Sequence, residues 1–186
     1  QITLIKNVIN DNGGNAGAND FGLSIGGNSV NSGDTVEVNA NTPIEIDEAG
    51  LSGYDFVSIT GDAKCPAVLG GSGTLDEGEE VTCTIHNDDV APTIKLTKVV
   101  VNDNGGSAVA GDWGLTAEGD ENGFADSGDS STFHTVTAGV DYTLSESSVP
   151  GYTTGTWECD GGSLYEDVLT LGLDEHVTCT ITNDDI

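Results

Sequence analysis

Val81-Thr82-Cys83-Thr84-Ile85-His86-Asn87-Asp88-Asp89 returns later in the chain as Val177-Thr178-Cys179-Thr180-Ile181-Thr182-Asn183-Asp184-Asp185. Each copy alternates strictly, which is the pattern of a strand with one buried face. Val81, Cys83, Ile85 and Asn87 share the inward face, and Thr82, Thr84, His86 and Asp88 share the other. An asparagine therefore stands in an apolar row, where an unpaired amide is costly. Some group in the core has to meet it.

A second motif repeats in step with the first. Asn10-Asp11-Asn12-Gly13-Gly14 recurs at Asn102-Asp103-Asn104-Gly105-Gly106. The doubled motifs divide the chain into modules 1–92 and 93–186, each long enough for a small core. Residues 88–93 read as a short linker stiffened by Pro92. Hydrophobic residues make up 35% of the sequence, with no Met. β-Branched residues and Gly dominate, which predicts an all-β protein of short strands and turns.

Four lysines stand against 32 acidic residues, a net charge of −28. Such a surface repels nucleic acid and anionic membranes and attracts divalent cations. The same charge also serves plain solubility. The acids are interspersed among strand-like segments, so the composition is not that of a disordered chain. No segment is apolar enough to cross a membrane. The cysteines fall two per module, Cys65 with Cys83 and Cys159 with Cys179. That arrangement predicts one disulfide in each module and an oxidising, extracellular setting. Gln1 opens directly in a strand pattern and reads as a processed N-terminus.

The first strands place a charge where the pattern calls for an apolar residue. Ile2, Leu4, Lys6 and Val8 share one face, as do Ile94, Leu96, Lys98 and Val100. A third strand does the same with an acid. Ile44, Ile46 and Glu48 lie on one face, matched by Tyr142, Leu144 and Glu146. The pairs Gly53-Tyr54 and Gly151-Tyr152 fix this alignment. Each module thus turns one Lys, one Glu and one Asn inward: Lys6, Glu48 and Asn87, then Lys98, Glu146 and Asn183. Buried charges are rarely unpaired. One reading is a Lys–Glu ion pair with the Asn amide bonded to it. The other is covalent. A desolvated lysine loses its proton and becomes a nucleophile, while a buried glutamate gains one and becomes an acid. The amine attacks the Asn carbonyl, the acid shuttles protons, and ammonia leaves an isopeptide bond behind. Contact supplies an effective concentration of roughly 10⁵ M or more.

Lys on the first strand, Glu in Tyr142-x-Leu144-x-Glu146 ahead of Pro150-Gly151-Tyr152, and Asn in a terminal Thr180-Ile181-Thr182-Asn183 resemble the collagen-adhesin B-type and SpaA-type prealbumin-like repeats of bacterial surface proteins and pilins. The resemblance covers both modules. In the first, Ile44 replaces the Tyr and the Pro is missing. It implies a seven-stranded β-sandwich in each module, hence two tandem Ig-like, prealbumin-like sandwiches in an elongated rod. It also carries the cross-linking roles to Lys6, Glu48, Asn87, Lys98, Glu146 and Asn183. The chain departs from the family in having a disulfide in each module and no recognisable sorting signal or pilin lysine motif.

If first and last strands lie parallel, as the resemblance implies, their far ends bring Asp11 and Asn12 to Asp88 and Asp89, and Asp103 and Asn104 to Asp184 and Asp185. Such a set of hard oxygens suits calcium; solvated turns account for it slightly better. His86, His134 and His176 are scattered and read as surface residues.

Function follows in three grades. The first is an extracellular structural protein, a filament subunit or surface stalk. Its partner would be further copies of itself, head to tail, or neighbouring repeats, because the two chain ends match the two sides of the internal junction. A fragment of a longer stalk fits the same ends. The second is an adhesive or carbohydrate-binding module using Trp113, Trp157 and Tyr165. An enzyme comes last: there is no Ser-His-Asp set, metal cluster or phosphate loop.

Overall fold

The computed structural model describes all residues from Gln1 to Ile186. The chain separates into two compact units, Gln1–Val90 and Ala91–Ile186. Strands account for nearly all the regular structure, with one short 3₁₀ turn in each unit, at Ala18–Asp20 and Ala110–Asp112.

In the first unit the strands are β1 (Ile2–Ile9), β2 (Gly22–Ile25), β3 (Asn28–Val30), β4 (Thr35–Val36), β5 (Pro43–Ala49), β6 (Tyr54–Gly61), β7 (Gly71–Thr74) and β8 (Val81–Asp89). They form two four-stranded sheets, ordered β4-β1-β8-β6 and β3-β2-β5-β7. Strands β1 and β8 run parallel, with Lys6 opposite Ile85 and Val8 opposite Asn87. The inward faces close over Ile2, Leu4, Phe21, Leu23, Ile25, Ile46, Leu75, Val81, Cys83 and Ile85.

The second unit repeats the plan with β9 (Thr93–Val101), β10 (Gly114–Glu118), β11 (Phe124–Ser127), β12 (His134–Thr135), β13 (Asp141–Glu146), β14 (Tyr152–Thr153), β15 (Trp157–Cys159), β16 (Ser163–Tyr165), β17 (Val168–Thr170) and β18 (His176–Asp185). One sheet runs β12-β9-β18-β14 with β15 also on β18; the other runs β11-β10-β13-β17-β16. Strands β9 and β18 are parallel, with Lys98 opposite Ile181. Short extra strands bring each unit above the seven implied by the resemblance.

Both expected disulfides are present. Cys65–Cys83 and Cys159–Cys179 each join the last strand to the segment beside it. Each closes a loop of about 20 residues and contributes about 3 kcal/mol by the chain-entropy argument.

Two local expectations need correction. Residues 88 and 89 belong to β8 rather than to a linker; only Val90, Ala91 and Pro92 lie between β8 and β9. The alternation of the last strand also continues one step beyond Asn87, so Asp89 is buried with the core row at 4% exposure.

Trp113 and Trp157 are buried, while Tyr165 is 76% exposed, so these three side chains form no common surface platform. His134 stacks on Phe124 and lies 2.8 Å from Asp126.

Candidate functional site

Three strands bring the Lys, Glu and Asn together in each unit. Strand β1 turns Lys6 inward, β5 turns Glu48, and β8 turns Asn87, because their positions fall on the buried phase of the alternation. All three are buried in the first unit, and the lysine and glutamate side chains are wholly shielded from solvent. Lys6 Nζ lies 2.8 Å from Glu48 Oε2 and donates to Asn87 Oδ1 at 2.5 Å. Asn87 Nδ2 donates to Glu48 Oε1 at 2.6 Å. The carboxylate therefore bridges the amine and the amide nitrogen with one oxygen to each.

The second unit builds the same triangle with a different closing contact. Lys98 Nζ donates to Glu146 Oε2 at 2.5 Å, and Asn183 Nδ2 donates to Glu146 Oε1 at 2.8 Å. Here Asn183 Oδ1 accepts from the backbone N–H of Gly155 at 3.2 Å. The six residues singled out by pattern are thus gathered into two sets of three.

Burial pushes the pKa of both Lys6 and Lys98 below the usual lysine range. The hydrogen bond and negative charge of Glu48 or Glu146 oppose that shift without cancelling it. Each amine is therefore closer to its neutral, nucleophilic form than an exposed lysine. An aromatic ring covers it: Phe21 lies 4.1 Å from Lys6 Nζ, and Trp113 lies 4.8 Å from Lys98 Nζ. The ring face stabilises the cation and also keeps water away. The contact of Phe21 and Trp113 with the lysines joins strands distant in sequence, so no local pattern shows it.

The acidic ends have a structure of their own. Asp89 accepts from the backbone N–H groups of Asp11 at 3.1 Å, Asn12 at 3.0 Å and Gly14 at 2.6 Å, and also from Asn12 Nδ2 at 3.1 Å. Asp185 holds the backbone of Asp103, Asn104 and Gly106 in the same way. A Cβ on Gly14 would lie 2.3 Å from the Tyr54 hydroxyl and 2.6 Å from Asp89 Oδ2, so only glycine fits. Gly13 and Gly105 adopt φ of 97° and 100°, the left-handed region that glycine enters freely. The Tyr54 hydroxyl accepts from the Ala16 N–H and donates to Asn10 Oδ1; Tyr152 does so with Ala108 and Asn102. The repeated Asn-Asp-Asn-Gly-Gly is thereby explained as a loop wrapped on a buried carboxylate.

The carboxylates of Asp11, Asp88 and Asp89 do converge, as do those of Asp103, Asp184 and Asp185, with ligand atoms within 4.8 Å. Amide donors already surround Asp89 and Asp185, which leaves Asp11 with Asp88, and Asp103 with Asp184, as the oxygens a calcium ion would find. Desolvation, aided by the charges of Asp11 and Asp89, raises the Asp88 pKa. Asn12 and Asn104 turn their amide nitrogens, not oxygens, toward the acids.

A profile of the SpaA-type prealbumin-like fold domain matches residues 1–85 and again 89–181. The chain belongs to this family. Comparison with curated protein sequences gives no match. Among solved structures, these SpaA-type modules are similar to the C-terminal fragment of the pilus adhesin SpaC from Lactobacillus rhamnosus GG. Identity is 15%, with 100% of this chain and 97% of that one covered, at a TM-score of 0.42. The major pilin T-13 from Streptococcus pyogenes matches at 15% identity over 86% of this chain and 73% of its own, TM-score 0.36. An adhesin from Mobiluncus mulieris, described as containing intramolecular disulfide, isopeptide and ester cross-links, matches at 14% identity over 79% and 60%, TM-score 0.37.

Proposed function

We propose that this protein is an extracellular structural subunit, pilus-like or stalk-like, whose two SpaA-type modules each close an internal Lys–Asn isopeptide bond. The observation that carries the reading is the buried Lys–Glu–Asn triangle in both modules. In each, one carboxylate oxygen faces the amine and the other faces the amide nitrogen. That is the placement a proton shuttle needs. The glutamate takes a proton from the lysine ammonium, the neutral amine attacks the Asn side-chain carbon, and the glutamate passes that proton to the departing nitrogen and then relays a second one to it from the attacking nitrogen. Lysine and asparagine side chains become one secondary amide, ammonium leaves, and the carboxylate is restored. The reaction happens once per module, so the protein modifies itself and turns nothing over.

The mechanical consequence suits a stalk. Strands β1 and β8 are parallel neighbours, so tension between the ends of a module shears one against the other. A Lys6–Asn87 bond joins them covalently and removes residues 7–86 from the path of the force. Lys98–Asn183 does the same between β9 and β18. The disulfides tie a further segment to the last strand in each module.

Family membership and the strongly acidic surface support a surface or extracellular location, with nucleic acid and anionic membranes disfavoured as partners. No helix is long and apolar enough to cross a membrane. We place the protein in a head-to-tail homopolymer or beside neighbouring repeats.

Intact mass under non-reducing conditions tests the cross-links. Two ammonia molecules and four hydrogens should be missing from the native chain. Glu48→Ala and Glu146→Ala should each restore one ammonia. A mass lacking only the four hydrogens would leave the ion-pair reading. Assembly is tested separately by electron microscopy of native material: filaments support the homopolymer, and monodisperse particles at all concentrations refute it.

A further inference from the structure

The two triangles differ at the oxygen of the asparagine, and the difference begins in the edge strand. In the first module β6 pairs continuously with β8 except for one extra residue between Phe56 and Ser58. That residue is Val57, whose side chain projects to solvent at 54% exposure. In the second module Thr153 pairs with Asp184 and Trp157 with Ile181. Three residues, 154–156, thus face two on β18, again an excess of one. The shared Gly-Tyr start of the strand aligns Gly155 with Val57. The bulge is common to both modules, but its central residue is valine in one and glycine in the other.

The glycine permits a closer approach. A Cβ at position 155 would lie 2.1 Å from the Thr182 carbonyl oxygen, so no side chain fits there without moving the strand. In this position the Gly155 N–H points at Asn183 Oδ1. In the first module the corresponding oxygen, Asn87 Oδ1, is taken by the lysine itself. An extra residue of this kind leaves the ladder locally unpaired and re-aims a backbone group. Beside the glycine, a cleft lined by Leu144, Glu146, Gly155, Trp157 and Ile181 reaches the surface. It offers the departing nitrogen a way out.

We infer that the backbone N–H of Gly155 is an oxyanion donor for the second module's cross-linking reaction, so that the two modules close their bonds by different means and at different rates. The inference rests on the cross-linking reading above. When the Lys98 amine attacks Asn183 Cγ, the carbonyl electron pair moves onto Oδ1, and the Gly155 N–H stabilises that charge. The same N–H holds Oδ1 away from the lysine, which leaves Lys98 Nζ bonded to Glu146 and ready to lose its proton. Glu146 gives its proton to Nδ2 and takes the second proton from the attacking nitrogen; collapse then returns the electron pair to the carbonyl, breaks the bond to Nδ2 and releases ammonia, which leaves as ammonium with the proton Glu146 holds. A preorganised donor of this kind is aimed at charge that exists only during the reaction.

The test follows both cross-links in time within the same full-length chain. Protein is made by cell-free translation, sampled at intervals and mapped by mass spectrometry at Lys6–Asn87 and Lys98–Asn183. Replacing Gly155 by glycolic acid turns its N–H into an ester oxygen without adding bulk. Loss of one oxyanion donor should slow the Lys98–Asn183 bond by about 10²-fold or more, while the Lys6–Asn87 bond keeps its wild-type rate. Gly155→Val, which installs the first module's bulge residue, should slow the same bond. Formation of Cys159–Cys179 in the same samples reports that β15 has docked on β18. An unchanged Lys98–Asn183 rate in the ester variant, with that disulfide formed, overturns the role of Gly155 and leaves the cross-link itself intact. A wild-type chain with no bond at Lys98–Asn183 overturns the underlying reading and the inference with it.

Discussion

The two modules hold the same three chemical groups on the same three strands, yet they complete the site differently. In the first, a continuous edge strand seals the triangle, and the lysine contacts both partners. In the second, the edge is interrupted at 154–156, the Glu146 side chain keeps a slight exposure of 5%, and a backbone N–H occupies the asparagine oxygen. The inward-facing residue types were set by strand alternation, which both modules share. Access, solvent and the electrostatics at the carbonyl were set by the edge strand, where the modules diverge. A repeat can thus preserve its chemistry while varying the surroundings that control it.

The largest expected effect comes from removing the glutamates. Closing a loop of about 80 residues should stabilise each module by about 4.5 kcal/mol, by the argument used for disulfides. Glu48→Ala should lower the first unfolding transition in calorimetry and Glu146→Ala the second, each with its ammonia restored. If one variant moves both transitions equally, the modules do not fold independently and the comparison between them fails.

The aspartates at the strand ends should matter less. Asp89→Asn loses a charge that collects several amide hydrogen bonds and should destabilise the first module by about 3 kcal/mol. For Asp185, burial pushes the pKa up, but the amides of Asn104, Gly106 and Asp103 outweigh it and hold it below the usual carboxylate range. A lowered folded-state pKa contributes stability above the unfolded value, about 3.9 for aspartate, that is lost as pH falls through the folded pKa. Hydrogen exchange at Asp103, Asn104 and Gly106 should therefore show the loop opening in the second module as pH drops below about 4. Exchange that is flat through that range would remove the carboxylate from the account of the loop.

The smallest effect is reserved for calcium. We propose weak binding at Asp11 with Asp88 and at Asp103 with Asp184, outside the amide-filled carboxylates. Millimolar calcium should raise the melting temperature of the Glu→Ala variants by no more than a few degrees relative to chelator, by mass action on the folded state. Identical curves would show that the turns need no ion.

The sequence by itself determined the class of the fold and the content of the site. Period-two alternation fixes which side chains point inward, so Lys6, Glu48 and Asn87 and their counterparts could be named without coordinates. Carrying that alternation one residue further would also have found Asp89 and Asp185 as buried anions. Three things were decided only by the tertiary structure. Which oxygen meets which nitrogen depends on the register between strands that are distant in sequence. The aromatic rings over the lysines come from β2 and β10 or their immediate approaches, across the core. Gly155 carries no side chain for a pattern to read; its role lies in a backbone N–H re-aimed by a bulge, and a bulge is a property of paired strands rather than of either one alone.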